Sequence, residues 1–135
     1  MMTILEKVDV LRRTEVLRQI RTESLARVAA LAREREHQPK EALYAENHAA
    51  DRFFVVTHGE VALLRSGTEH ERRGPSSVLG ILGALSEGPY RETAMALTPV
   101  HTLQIDQQDL LDLMDTDSHI SRGILKGLIS HFNSR

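Results

Sequence analysis

Apolar residues recur at helical spacing through the first part of the chain. Ile4, Leu5, Val8, Leu11, Val16, Leu17 and Ile20 follow one another every few residues, with a break around Thr14. Thr22 then occupies an N-cap position, and Leu25, Val28, Ala29 and Ala32 predict one face of a second helix running to about Glu36. Its far end, Arg33-Glu34-Arg35-Glu36, mixes charge signs and reads as a solvated helix terminus. From Pro39 the period shortens to two. Ala42, Tyr44, Phe54, Val56, Val61 and Leu63 fall in short runs separated by turn residues. Strands are predicted over 41–44, 53–56, 61–64, 93–97 and 100–105, with turns at His58-Gly59, Ser66-Gly67-Thr68 and Thr98-Pro99.

Strands recurring every 8–12 residues indicate a sandwich or closed barrel rather than a sheet of βαβ units. Helical periodicity returns at the end. Asp106 is the predicted N-cap of a helix through Leu110, Leu111, Leu113 and Met114, with Asp109 at the capping-box position. Ser118 opens the last helix. Its stripe of Ile120, Ile124, Leu125, Leu128, Ile129 and Phe132 is wide enough to cover the body of the domain and a second subunit. Gly123 and Gly127, four apart, suit close helix packing, within the chain first and between chains second.

Composition narrows the function more than the fold. A chain of 135 residues makes one domain with a sizeable core. A net charge of −2 leaves no electrostatic footprint for nucleic acid. With no cysteine there is no disulfide framework, thiol nucleophile or zinc–thiolate site. The start lacks a signal peptide's basic end and apolar core, and the longest apolar run, Val78 to Leu85, falls far short of a membrane span. The expected location is therefore cytoplasmic, with no membrane partner. Seven histidines include no His-x-His or His-x-x-x-His pair, so His48, His58, His70 and His101 read as exposed or singly hydrogen-bonded. Ser86 lacks the Gly-x-Ser-x-Gly surroundings of a hydrolase nucleophile. The chain is expected not to be an enzyme; a metal-dependent enzyme on a cupin-like barrel is the distant alternative.

The stretch that organises the rest runs from Leu79 to Ala94, Leu-Gly-Ile-Leu-Gly-Ala-Leu-Ser-Glu-Gly-Pro-Tyr-Arg-Glu-Thr-Ala. Gly80 and Gly83 permit close backbone approach, and free N–H groups at a helix start attract an anion. Arg91 could close such a site by pairing with a phosphate. This stretch resembles the phosphate-binding cassette of the cyclic-nucleotide-binding domain family, which reads roughly Phe-Gly-Glu-Leu-x-Leu, a short turn, then Arg-Ser/Thr-Ala. Leu79-Gly80, Leu82 and Arg91 fall in matching places without a gap, as do Asp51, Gly59 and Val61 in the strands before it. Asn47 stands where the family usually has glycine, which implies left-handed backbone there, a conformation that Asn tolerates better than most residues. Two positions depart: Ile81 replaces the glutamate that grips the ribose 2′-hydroxyl, and Glu92 replaces the Ser or Thr that donates to the phosphate.

The resemblance implies a mainly β fold with flanking α. This is an antiparallel jelly roll (a double-stranded β-helix) over 39–105, with N-terminal helices over 1–36 and C-terminal helices over 106–135. It implies a non-catalytic regulatory or sensor module and no cofactor. Gly80, Ile81, Leu82, Gly83, Arg91, Glu92 and Thr93 become the candidate ligand-binding residues, and cyclic AMP or cyclic GMP, or another small anion, the candidate ligand. Weak or absent nucleotide binding is expected. An unmade buried hydrogen bond costs about 1–3 kcal/mol. A carboxylate about 4 Å from a phosphate charge costs about 4 kcal/mol at an effective dielectric near 20. The second figure alone is roughly a thousandfold in affinity. Two ways around the penalty remain: Glu92 facing solvent, or Glu92 or Glu87 pairing with Arg91. The candidate partners are a protein or a second copy through the 118–134 helix, which makes a structural oligomerisation module the alternative. The DNA-reading unit that follows this domain in the family's transcription factors is not present among these residues.

Overall fold

The computed structural model describes residues 1–133. Its first helix, α1 (Ile4–Arg12), is closed by a capping box that sequence reading passed over: the Thr3 hydroxyl accepts from Glu6 N–H, and the Glu6 carboxylate accepts from Thr3 N–H. A 3-10 turn at Leu17–Gln19 follows, then α2 (Thr22–Leu31). Arg21, not Thr22, is its N-cap, and no side chain caps it. The strands are β1 (Arg33–His37), β2 (Ala42–Tyr44), β3 (Arg52–His58), β4 (Val61–Arg65), β5 (Thr68–Arg73), β6 (Val78–Leu79), β7 (Thr93–Ala96) and β8 (Val100–Asp106). A short α3 (Ile81–Ser86) interrupts them, and α4 (Gln107–Thr116) and α5 (Ser118–Asn133) complete the order. The predicted final helix position 134 lies outside the described residues.

The strands form two antiparallel four-stranded sheets, ordered β1-β8-β3-β6 and β2-β7-β4-β5. This is the jelly roll expected, as a sandwich of open sheets rather than a closed barrel. Its boundary differs. The predicted second helix stops at Leu31, and Arg33 to His37 pair with Gln104 to Val100 on β8. The roll therefore begins at Arg33, six residues before Pro39. A helix would have mixed the charges of this run. As a strand it sorts them, with Arg33 and Arg35 on one face and Glu34 and Glu36 on the other. The β5 strand was also unforeseen, because Thr68 to Arg73 holds no apolar residue to show a period.

Phe53, Phe54, Val55 and Val56 on β3 are all buried because both faces of that strand are covered. Phe53 and Val55 meet the helices in a core with Leu11, Leu17, Leu25, Val28, Leu110, Ile120 and Ile124. Phe54 and Val56 face the other sheet, among Leu43, Tyr44, Val61, Leu63, Tyr90, Ala94 and Val100. His37 is buried beside Phe54, held by the Thr102 hydroxyl at 2.9 Å and the Glu41 carboxylate at 3.1 Å. Asn47 takes the positive φ expected of it, +71°. Asp106 does not cap α4 with its side chain; its carboxylate accepts from Gln104 instead, and no capping box forms with Asp109. At the next junction Asp117 accepts from His119 N–H and from the Ser24 hydroxyl, tying the start of α5 to α2.

The glycine pair of α5 packs inside the chain. A Cβ on Gly123 would lie 2.6–2.9 Å from Ile20, and one on Gly127 would strike the Val16 carbonyl. The turn approaches this closely with Val16 at φ +68°, a conformation that a β-branched residue rarely adopts.

Candidate functional site

A cavity of about 240 Å³ lies where the organising stretch, the β4–β5 hairpin and the end of α5 converge. Gly80, Ile81, Leu82, Gly83, Arg91 and Glu92 line it, so six of the seven residues picked from sequence come together. Thr93 does not reach it. The Thr93 hydroxyl accepts from Glu46 N–H at 3.0 Å and pins the loop after β2. Gly80 caps α3 at φ +84°, and a Cβ there would press on the rings of Tyr90 at 3.0 Å and Tyr44 at 3.3 Å. Ile81 is 5% exposed and joins the helix-side core. Its side chain offers the cavity no hydrogen-bonding group.

Two tyrosines form the wall beside Gly80. Tyr44 and Tyr90 stack with centroids 4.1 Å apart, and the Tyr90 hydroxyl donates to the Arg52 carbonyl at 2.6 Å while accepting from Arg52 N–H. Burial pushes the Tyr90 hydroxyl up to about 12. Burial, and then the charge of Glu92, holds the Tyr44 hydroxyl well above its ordinary value. The Tyr44 hydroxyl therefore stays protonated and donates to Glu92 Oε2 across 3.4 Å. Glu92 thus faces the cavity wall instead of solvent. It makes no ion pair with Arg91, and neither does Glu87; Arg91 sits exposed with no ion pair or side-chain hydrogen bond among the described residues.

Sequence reading missed the groups on the opposite wall. Arg73, only 14% exposed, is ion-paired with Glu15 and with Glu71 on β5. The Glu15 carboxylate also accepts from Val78 N–H at 3.2 Å and lies 3.6 Å from His131 Nδ1 on α5. One carboxylate thereby joins the turn after α1, the strand leading into Gly80, the β4–β5 hairpin and the last helix. Arg65 and His70 also line this side. The sequence signal for these groups was faint, a charged run after Ser66-Gly67 that no hydrophobic period could place. Elsewhere His58 and His101 meet edge to face, and His101 approaches Glu36 at 3.3 Å. Among the described residues no group of three or more histidine and carboxylate side chains is placed to hold a metal ion, and no helix is long and apolar enough to cross a membrane.

The structure thus joins a jelly roll, a short glycine-flanked helix and an arginine at the mouth of a partly open cavity. The family profile described as the cyclic nucleotide-binding domain matches residues 34–117, and the chain belongs to that family. The chain is 32% identical over 98 residues to the potassium channel AKT2 of rice, Oryza sativa subsp. japonica, a match covering 69% of the chain and 12% of the channel. Many solved structures share its fold. The N-terminal domain of a transcriptional regulator from Streptomyces coelicolor is 29% identical, with a TM-score of 0.78 and coverage of 93% of this chain and 91% of that one. A candidate cyclic nucleotide binding protein from Ruegeria pomeroyi has a TM-score of 0.84 at 24% identity, covering 98% of this chain and 61% of the other.

Proposed function

We propose that this chain is a non-catalytic regulatory module, cytoplasmic in setting, whose cavity binds cyclic AMP and cyclic GMP weakly or not at all. The observation that carries the reading is the inward placement of Glu92 against Tyr44. A cyclic nucleotide whose phosphate approached Arg91 would meet that carboxylate, and its ribose hydroxyl would find the apolar Ile81 where an acceptor is needed. The end of α5 lines the same cavity through Leu128, His131 and Phe132. A ligand that favours one placement of α5 over another could therefore be read out by that helix.

Calorimetry with both nucleotides on the ligand-stripped chain, alongside Glu92→Ser and Arg91→Ala, tests the reading. No binding tighter than about millimolar is expected from the unaltered chain, with a gain of at least about tenfold in Glu92→Ser. Micromolar binding by the unaltered chain that disappears in Arg91→Ala would overturn it.

A second reading, oligomerisation, draws on an exposed apolar stripe of α5 that reaches the cavity rim at Phe132. Leu125 is 59% exposed, Ile129 52% and Phe132 49%, and all lie at i, i+4 and i+7. A monomer mass that does not change with concentration in sedimentation would count against a homodimer built on this stripe.

A further inference from the structure

We infer, on the premise that this cavity is the module's ligand site, that it takes a small zwitterion, with Glu92 and Tyr44 meeting an ammonium group and Arg91 and Arg65 a phosphate or carboxylate. Charge is the first ground. Arg65, Arg73 and Arg91 line the cavity together with Glu15, Glu71 and Glu92, so the two signs balance. Arg73 already holds Glu15 and Glu71. Arg65, Arg91 and Glu92 make no ion pair among the described residues, which leaves charges of both signs facing one space. A lone anion drawn to Arg91 is repelled by Glu92, its neighbour in the chain, and a lone cation meets the reverse. A molecule with both charges satisfies both walls.

Hydrogen bonding is the second ground. The Tyr44 hydroxyl donates to Glu92, and its oxygen keeps acceptor capacity for an ammonium N–H. A guanidinium presents the forked donors that a carboxylate or phosphate accepts. Size is the third. A space of about 240 Å³ is below the roughly 300–1,000 Å³ usual for ligand pockets. It has room for an amino acid or an amino phosphate. Leu63 and Leu128 provide apolar wall for the short carbon linker between the two charges.

The test is calorimetry on the ligand-stripped chain at constant ionic strength with O-phosphoethanolamine, L-glutamate, inorganic phosphate, ethanolamine and cyclic AMP. The first two probes distinguish a phosphate-bearing from a carboxylate-bearing zwitterion. At least one of them is expected to bind about tenfold or more tighter than phosphate or ethanolamine. Glu92→Gln is expected to lose about tenfold for the zwitterion while gaining affinity for phosphate, and Arg91→Gln to weaken both. Thermal melts verify that each variant is folded. Phosphate binding as tightly as either zwitterion, or zwitterion affinity unchanged in a folded Glu92→Gln, overturns the assignment. Silence of every probe at about 10 mM overturns it too, and leaves the weak-nucleotide reading standing. Micromolar cyclic AMP binding overturns that reading instead.

Discussion

The two faces of β3 look into different kinds of interior. Phe53 and Val55 enter an apolar core shared with α1, α2, α4 and α5, where packing alone decides what fits. Phe54 and Val56 enter a core that includes two stacked tyrosines and a buried histidine, and that borders a charged cavity. The contrast separates a side that apolar packing fills from one that also holds charge. Of the candidate binding residues, Ile81 belongs to the helix-side core and Glu92 to the cavity wall.

The sharpest way to break that contrast is to empty the helix side. Phe53→Ala should cost about 3–5 kcal/mol in urea unfolding, whereas Glu92→Ser on the cavity side should cost no more than about 1.5 kcal/mol, the worth of the hydrogen bond from Tyr44. Equal losses would show that the division of labour is wrong. Gly127→Ala comes next, because the added methyl has no space beside Val16. A loss of about 1–3 kcal/mol, read from thermal melting, is expected. On the cavity side Tyr90→Phe removes the hydroxyl that serves both backbone groups of Arg52. Its cost should be about 0.5–1.5 kcal/mol in the same unfolding experiment.

The smallest expected effect concerns acid. Desolvation works to raise the Asp117 carboxyl, but the Ser24 hydroxyl, the His119 N–H and Arg27 outweigh it, and the net direction is below the ordinary value of 3.8. A lowered carboxyl contributes stability that is present above its unfolded value and lost as pH falls through the folded one. Stability should therefore decline as pH drops below about 4, and Asp117→Asn should flatten that limb of the profile. An identical acid limb in the variant would assign the decline to other carboxylates.

Much of this was legible in the sequence. The shift from helical to two-residue period follows from local pattern, while the left-handed Asn47 and the gathering of Gly80 to Gly83 with Arg91 and Glu92 follow from the resemblance to the family. What escaped is what depends on a distant partner. Arg33 to His37 becomes a strand because β8 supplies its hydrogen bonds from some 65 residues away. Thr93 satisfies a loop N–H rather than a ligand, and β5 carries no apolar period. Glu15 and Arg73, 58 residues apart, meet only through tertiary contact, so no spacing could announce them as one wall of the site.

The seating of α5 on residues 16–20 limits how the helix can move. Gly123 and Gly127 receive Ile20 and Val16 as slots receive a key. Turning the helix about its own axis would drive larger side chains into that backbone. Sliding it by one residue would do the same. The motions left are those that carry the 16–20 turn along with it, and Glu15 fastens that turn to the strand entering Gly80. Helix, turn and strand end are thereby tied into one body, with the cavity at its edge.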